Sequence, residues 1–68
     1  MDKKKFIKLL NSTLDTKYNE KSDFQIDSLD ILKIVEMNNR HFKKENIDVS
    51  KINNSSNIKE LLKIYKIK

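Results

Sequence analysis

From Asp27 to Phe42 apolar side chains recur at helical spacing, and the run opens on Asp27-Ser28-Leu29-Asp30. At about 100° per residue, Leu29, Ile31, Leu32, Ile34, Val35 and Phe42 fall on one broad arc, with Asp30, Lys33, Arg40 and Lys44 mostly on the other. This pattern predicts an amphipathic helix starting after Asp27 and ending between Phe42 and Lys44, where Lys43 and Lys44 would complement its negative end. Asp27 and Asp30 have the spacing of a capping box, in which each carboxylate accepts a backbone N–H of the first turn. Ser28 then lies in that turn with its hydroxyl outward, where unpaired N–H groups and partial positive charge favour a phosphate.

Elsewhere the same bookkeeping predicts three more helices. Phe6, Ile7, Leu10 and Leu14 share a face behind an Asp2 cap, flanked by Leu9 and Thr13, while Lys3, Lys4, Lys5 and Lys8 form a solvated face. Periodicity lapses from Asp15 to Asp23, a polar connection with Tyr18 as its anchor, and Phe24 and Ile26 are expected to tuck it against the bundle. Within Glu45 to Asn53, Ile47, Val49 and Ile52 predict a short helical turn begun by Asp48. Asn53-Asn54-Ser55-Ser56 is turn chemistry, after which Asn57 and Glu60 make a second reciprocal cap. The last helix presents Ile58, Leu61, Leu62 and Tyr65 to the core, widened by Ile64 and Ile67, with Lys59, Lys63 and Lys66 toward water. The fold class is therefore all-α: a single domain over residues 1–68, a small four-helix bundle of three main helices and one short one.

Composition narrows the chemistry. A chain of 68 residues buries only about 60% of its unfolded surface, so the core is modest. There is no Cys and no Gly, which removes disulfides, thiolate catalysis and Gly-rich phosphate loops, and a single His leaves no zinc set. No apolar run approaches the roughly 20 residues of a membrane span, and Lys3-Lys4-Lys5 is not followed by a signal-peptide core. A monomer in the cytoplasm, without membrane insertion, is the expectation.

The net charge of +5 raises the question of nucleic acid. The lysines are spread along the chain, however, and Arg40 is the sole arginine among 15 basic residues. Bidentate recognition of bases and phosphates leans on arginine. Catalysis by the chain itself is not expected either. Ser28 has no base beside it, since His41 lies thirteen residues on, about 20 Å along the same helix. The carboxylates of Asp27 and Asp30 are explained by capping.

With Asp-Ser-Leu-Asp opening a helix, Phe42 fourteen residues after Ser28, and Asn57-Ile58-Lys59-Glu60-Leu61 opening the last helix, the chain resembles an acyl carrier protein. In that family the last helix opens Thr-Val-x-Asp/Glu-Leu, and the serine carries 4'-phosphopantetheine. The resemblance is best from Phe24 to Tyr65. It implies that Ser28 is the attachment point, that a phosphopantetheinyl transferase modifies it, and that acyl-loading and acyl-accepting enzymes of fatty acid, polyketide or specialised acyl metabolism are the partners. It further implies docking through Asp27, Leu29, Asp30, Lys33, Glu36 and Arg40, and an acyl pocket lined by Leu32, Val35, Asn38, Phe42 and Leu61.

Three departures from the family refine these expectations. Gln25 stands where the family commonly has Gly, so the turn before the helix is expected to differ wherever that Gly takes a positive φ. Asn38 stands where a large apolar residue is usual, so the pocket is expected to be shallow or partly polar. Lys33, Asn39, Arg40, Lys43 and Lys44 replace the usual acidic stripe beyond the first turn, so partners with acidic or neutral docking faces are expected. The alternative from a different class is a small basic helical module that binds nucleic acid or another protein and carries no cofactor.

Overall fold

In the computed structural model, which describes residues 1–43 and 46–67, the chain forms α1 (Lys3–Leu14), α2 (Ser28–His41), α3 (Val49–Asn53) and α4 (Ile58–Ile64). Among the described residues there is no strand beyond an isolated bridge between Asp23 and Asn57. Each helix starts at a polar side chain that accepts an otherwise unpaired N–H of the first turn. Asp2 accepts from Lys5 at 2.8 Å, Asp27 from Asp30 at 2.9 Å, Asp48 from Ser50 at 3.0 Å and Asn57 from Glu60 at 3.0 Å. The second reciprocal cap does not close as expected. The Glu60 carboxylate accepts instead from the Ser56 hydroxyl at 2.9 Å and the Ser56 N–H at 3.4 Å, because Ser56 offers it two donors together.

Two helices end without the glycine that usually allows a left-handed turn. Asp15 closes α1 at φ 55°, and Lys66 follows α4 at φ 56°. After α4 the N–H groups of Lys66 and Ile67 return to the carbonyls of Lys63 and Leu62 at 3.1 and 2.9 Å, the paired bonds of a Schellman motif. A side chain in this region costs about 1–2 kcal/mol, offset here by the carbonyls it satisfies. α2 ends earlier than the latest predicted boundary. The Phe42 N–H caps it by donating to the Asn38 carbonyl at 2.8 Å, and Arg40 and His41, rather than Lys43, occupy the last turn. The expectations for Lys44 and Glu45 lie outside the described residues.

The core is organised around Phe6. Its ring centroid lies 4.7 Å from Tyr65 and 6.2 Å from Phe42, and those two rings are 4.8 Å apart, so α1 and the ends of α2 and α4 meet in one aromatic cluster. Leu10, Leu14, Ile34, Met37, Ile52, Ile58, Leu61 and Leu62 fill the space around it.

α2 is rotated relative to the predicted arc. Ile34, Met37 and Asn38 are buried and Ile31 is half-buried, whereas Leu29 and Leu32 are each 67% exposed and Val35 is at 36%. The reason is Asn38. Its side-chain oxygen accepts from the buried Tyr65 hydroxyl, which admits a polar residue to the core and turns the opposite side of the helix, with Leu29 and Leu32, to solvent.

The connection before α2 is more tightly held than its polar sequence suggests. Tyr18 anchors it as expected, with its ring 5.5 Å from Phe24 and its hydroxyl donating to the Gln25 carbonyl at 3.2 Å. Asn11, in the last turn of α1, also organises it: the amide donates to the Tyr18 carbonyl, and its oxygen accepts from the Tyr18 N–H and the Thr16 hydroxyl, each at 2.8 Å. Phe24 is buried, Ile26 is half-buried, and the Phe24 N–H donates to the Ser56 carbonyl at 2.9 Å, tying the loop to the start of α4. Gln25 does not take a positive φ, so the turn avoids the strain a Gly-type conformation would impose there.

Candidate functional site

The start of α2 carries the predicted capping box in full. Asp27 accepts the Asp30 N–H at 2.9 Å, and Asp30 reaches back to the Asp27 N–H at 3.4 Å. Because the two aspartates make these bonds, the exposed Ser28 hydroxyl is not spent on capping. Ser28 is the first residue of a helix of 14 residues, where aligned peptide dipoles give partial positive charge and first-turn N–H groups lack intrahelical acceptors. An ester-linked phosphate at Ser28 Oγ fits this position: the residue is exposed and lies next to first-turn N–H groups without intrahelical acceptors. Neighbouring carboxylates of Asp27 and Asp30 leave the field around it mixed in sign.

Two rows of side chains lead away from this serine along the exposed side of α2. Residues three and four apart stack on a helix, so Ser28, Leu32, Val35 and Asn39 form one row and Leu29, Lys33, Glu36 and Arg40 the next. Most of the expected docking residues therefore share one surface, with Leu29 as its apolar element and Asp27 at its head. Asp30 stands apart from them, half-buried on the inward side of the first turn. Arg40 and Glu36 pair at 2.7 Å across one turn of this surface, which offsets both charges locally. Lys33, Glu36 and Arg40 also border a groove of about 370 Å³ between α1 and α2, floored by Leu9 and Met37, that sequence reasoning missed. Its signal was available in Leu9 and Thr13, placed on the flank of the α1 face.

The residues expected to line a pocket come together only in part. Val35, Asn38 and Phe42 line one cleft of about 160 Å³, completed by Asn39, Lys43, Asn46, Ile47 and Val49. Leu32 does not belong to it, since the rotation of α2 leaves that side chain in solvent. Leu61 does not either: at 1% exposure it is part of the packed core. The cleft is smaller than the roughly 300–1,000 Å³ of pockets that enclose small ligands, and three asparagines border it.

Asn38 is the one expected lining residue with unusual chemistry. It is 8% exposed, its oxygen accepts the Tyr65 hydroxyl at 2.5 Å, and its Nδ2 has no hydrogen-bond partner among the described residues. Burial pushes the Tyr65 hydroxyl up to about 12. Asp48 at the α3 cap is held below its ordinary value, chiefly by the Ser50 hydroxyl. No group of three or more acidic or histidine side chains placed to hold a metal occurs among the described residues. Among the described residues no helix is long and apolar enough to cross a membrane.

The chain matches no family model, and comparison with curated proteins and with solved structures gives no match.

Proposed function

We propose that this protein is an acyl carrier: it bears 4'-phosphopantetheine on Ser28 and delivers acyl thioesters between partner enzymes. The observation that carries this proposal is an exposed serine at the first position of a fully capped amphipathic helix, with exposed leucines at 29 and 32 beside it. The likeness of Asp27-Ser28-Leu29-Asp30, Phe42 and Asn57 to Leu61 to the acyl carrier proteins supports it, as does an all-helical four-element fold.

In this role Ser28 Oγ would hold the arm as a phosphate ester, formed when a phosphopantetheinyl transferase supplies the base that Ser28 lacks and the diphosphate of coenzyme A breaks to release adenosine 3',5'-bisphosphate. When bound, the arm supplies a thiol that holds the cargo as a thioester. Asp27 and Asp30 keep the helix start rigid, so that the attachment point is presented in one orientation. Leu29 and Leu32 offer apolar contact to a docking enzyme at little cost to the fold, because they are already outside the core. Lys33 and the Glu36–Arg40 pair set the charge of that contact and suit a partner face that is acidic or neutral. Val35, Asn38 and Phe42 border a cleft that shelters a short cargo.

Nucleic-acid binding is less well supported. The single guanidinium is paired with Glu36, and the exposed lysines are distributed over α1, α2, α3 and α4. The test of the proposal is an intact mass after incubation with coenzyme A and a phosphopantetheinyl transferase. Addition of one arm supports it; salt-sensitive binding of nucleic acid by a chain that accepts no arm would replace it.

A further inference from the structure

Where α2 and α4 finish, Arg40, His41, Lys43 and Lys66 are all exposed and line one cleft of about 570 Å³. Its apolar lining includes the exposed Met1 and the half-buried Ile67, and no carboxylate borders it among the described residues. Arg40 and His41 also border the groove between α1 and α2, so cleft and groove meet around the last turn of α2. The one described carboxylate along this track, Glu36, is bonded to Arg40 at 2.7 Å. Complementing helix dipoles does not account for the lysines. The last turns already hold Arg40 and His41 on α2 and Lys63 on α4, whereas Lys43 and Lys66 lie beyond the helix ends and have no ion-pair partner among the described residues. Backbone donors here are committed: the N–H groups of Phe42, Lys66 and Ile67 go to the carbonyls of Asn38, Lys63 and Leu62. Recognition at this end therefore falls to the side chains.

We infer that this end of the bundle docks an acidic segment of a partner protein, an extended stretch in which Asp and Glu alternate with apolar side chains. The carboxylates meet Lys43, Lys66 and Arg40, and the apolar side chains meet Met1 and Ile67. Long lysine side chains spread along a track suit charges spaced along a chain better than one compact anion. From Lys33 to His41 α2 rises about 12 Å, and six extended residues, about 20 Å, cover that groove and the cleft beyond it. Nucleic acid fits less well, because the sole guanidinium is engaged by Glu36 and the aromatic rings at the cleft, Phe42 and Tyr65, are buried rather than offered for stacking. Ser28 is thirteen residues before His41, about 20 Å along the helix, so a partner held here leaves the serine uncovered. The inference stands whether or not Ser28 bears an arm.

The test is a titration followed by backbone amide resonances, using the hexapeptide Asp-Leu-Glu-Leu-Asp-Glu, its Asn/Gln counterpart and a thymidine hexanucleotide. The acidic peptide is expected to shift the resonances of Arg40 to Lys43, Lys66 and Ile67, and its affinity is expected to fall as salt rises. Lys43→Gln and Lys66→Gly should each weaken it by about 2- to 5-fold, the range of an exposed ion pair. A φ of 56° suits glycine, so weaker binding by Lys66→Gly does not arise from unfolding. Lys59→Gln removes the same charge beside Asp23 and Asn57, away from the cleft, and should leave the affinity unchanged. Unmoved resonances at the cleft, equal shifts with the Asn/Gln peptide, or equal weakening by Lys59→Gln would overturn the inference. Tighter binding of the hexanucleotide at the same residues would replace the acidic segment by nucleic acid. Loading of Ser28 by a phosphopantetheinyl transferase, read by mass, is measured separately, so failure of the carrier role and failure of this docking surface are distinguishable.

Discussion

The Tyr65 hydroxyl donates to the Asn38 side-chain oxygen at 2.5 Å, joining the end of α4 to the inward side of α2 inside the core. The bond gives the bundle one specific polar contact, and it fixes the rotation of α2 that presents Leu29 and Leu32 to solvent.

This contact has a signature at high pH. Tyr65 titrates near its ordinary value of 10.0 when the chain is unfolded, and at about 12 when folded. Below pH 10 both states are protonated and Tyr65 adds no pH dependence. Between about 10 and 12 the unfolded chain binds fewer protons, so stability falls with rising pH, by at most about 1.4 kcal/mol per pH unit. Denaturant midpoints measured across this range should show the fall in wild type and lose the Tyr65 contribution in Tyr65→Phe. At neutral pH the same variant should be less stable by about 1–3 kcal/mol, because the Asn38 oxygen loses its donor.

The rotation of α2 makes neighbouring aliphatic residues unequal. Ile34 is 1% exposed and Leu32 is 67% exposed. Chemical denaturation should show Ile34→Ala destabilised by about 2–5 kcal/mol, enough to unfold much of so small a domain. Leu32→Ala should stay within about 0.5 kcal/mol of wild type. Equal losses at the two positions would mean that α2 sits in the register that periodicity first suggested.

Lys66 is an opportunity for stabilisation. Its φ of 56° suits glycine, and its N–H is already committed to the Lys63 carbonyl. Lys66→Gly should raise stability by about 0.5–1 kcal/mol, read as a higher denaturant midpoint with an unchanged slope. A loss of stability would show that the lysine side chain contributes more than its conformation costs.

The helix starts were legible because capping is local chemistry. Asp2, Asp27, Asp48 and Asn57 each precede a periodic run and each accepts a first-turn N–H. Burial on α2 was not, because periodicity weighs residues by polarity and cannot anticipate that Tyr65, distant in sequence, satisfies Asn38. Met37 and Asn38 are instead in the core, and Leu32 lies outside the cleft it was expected to line. Asn11 was missed for a similar reason, since an amide at the edge of an apolar face gives no sign of the loop it organises. At the start of α2 the capping box of Asp27 and Asp30 and the exposure of Ser28 were readable, whereas the cleft depended on packing.

Charge on the exposed rows of α2 should govern partner choice. The Lys33→Glu/Arg40→Glu double variant should be loaded faster than wild type, at low salt, by enzymes adapted to acidic carriers, and the gain should shrink as salt rises. Arg40 is bonded to Glu36, so the same change places two carboxylates one turn apart and should lower stability by a few tenths of a kcal/mol. Absence of any rate gain at low salt would show that charge mismatch does not set partner choice.

Attachment at Ser28 is best tested by mass spectrometry of the intact chain and its peptides after reaction with coenzyme A and a phosphopantetheinyl transferase. Wild type should gain one phosphopantetheine mapped to Ser28, and Ser28→Ala should gain none while its stability stays within about 0.5 kcal/mol, since Asp27 keeps the cap. An unmodified wild type, an arm that persists in Ser28→Ala, or one found on Ser12, Ser22, Ser50, Ser55 or Ser56 would contradict it.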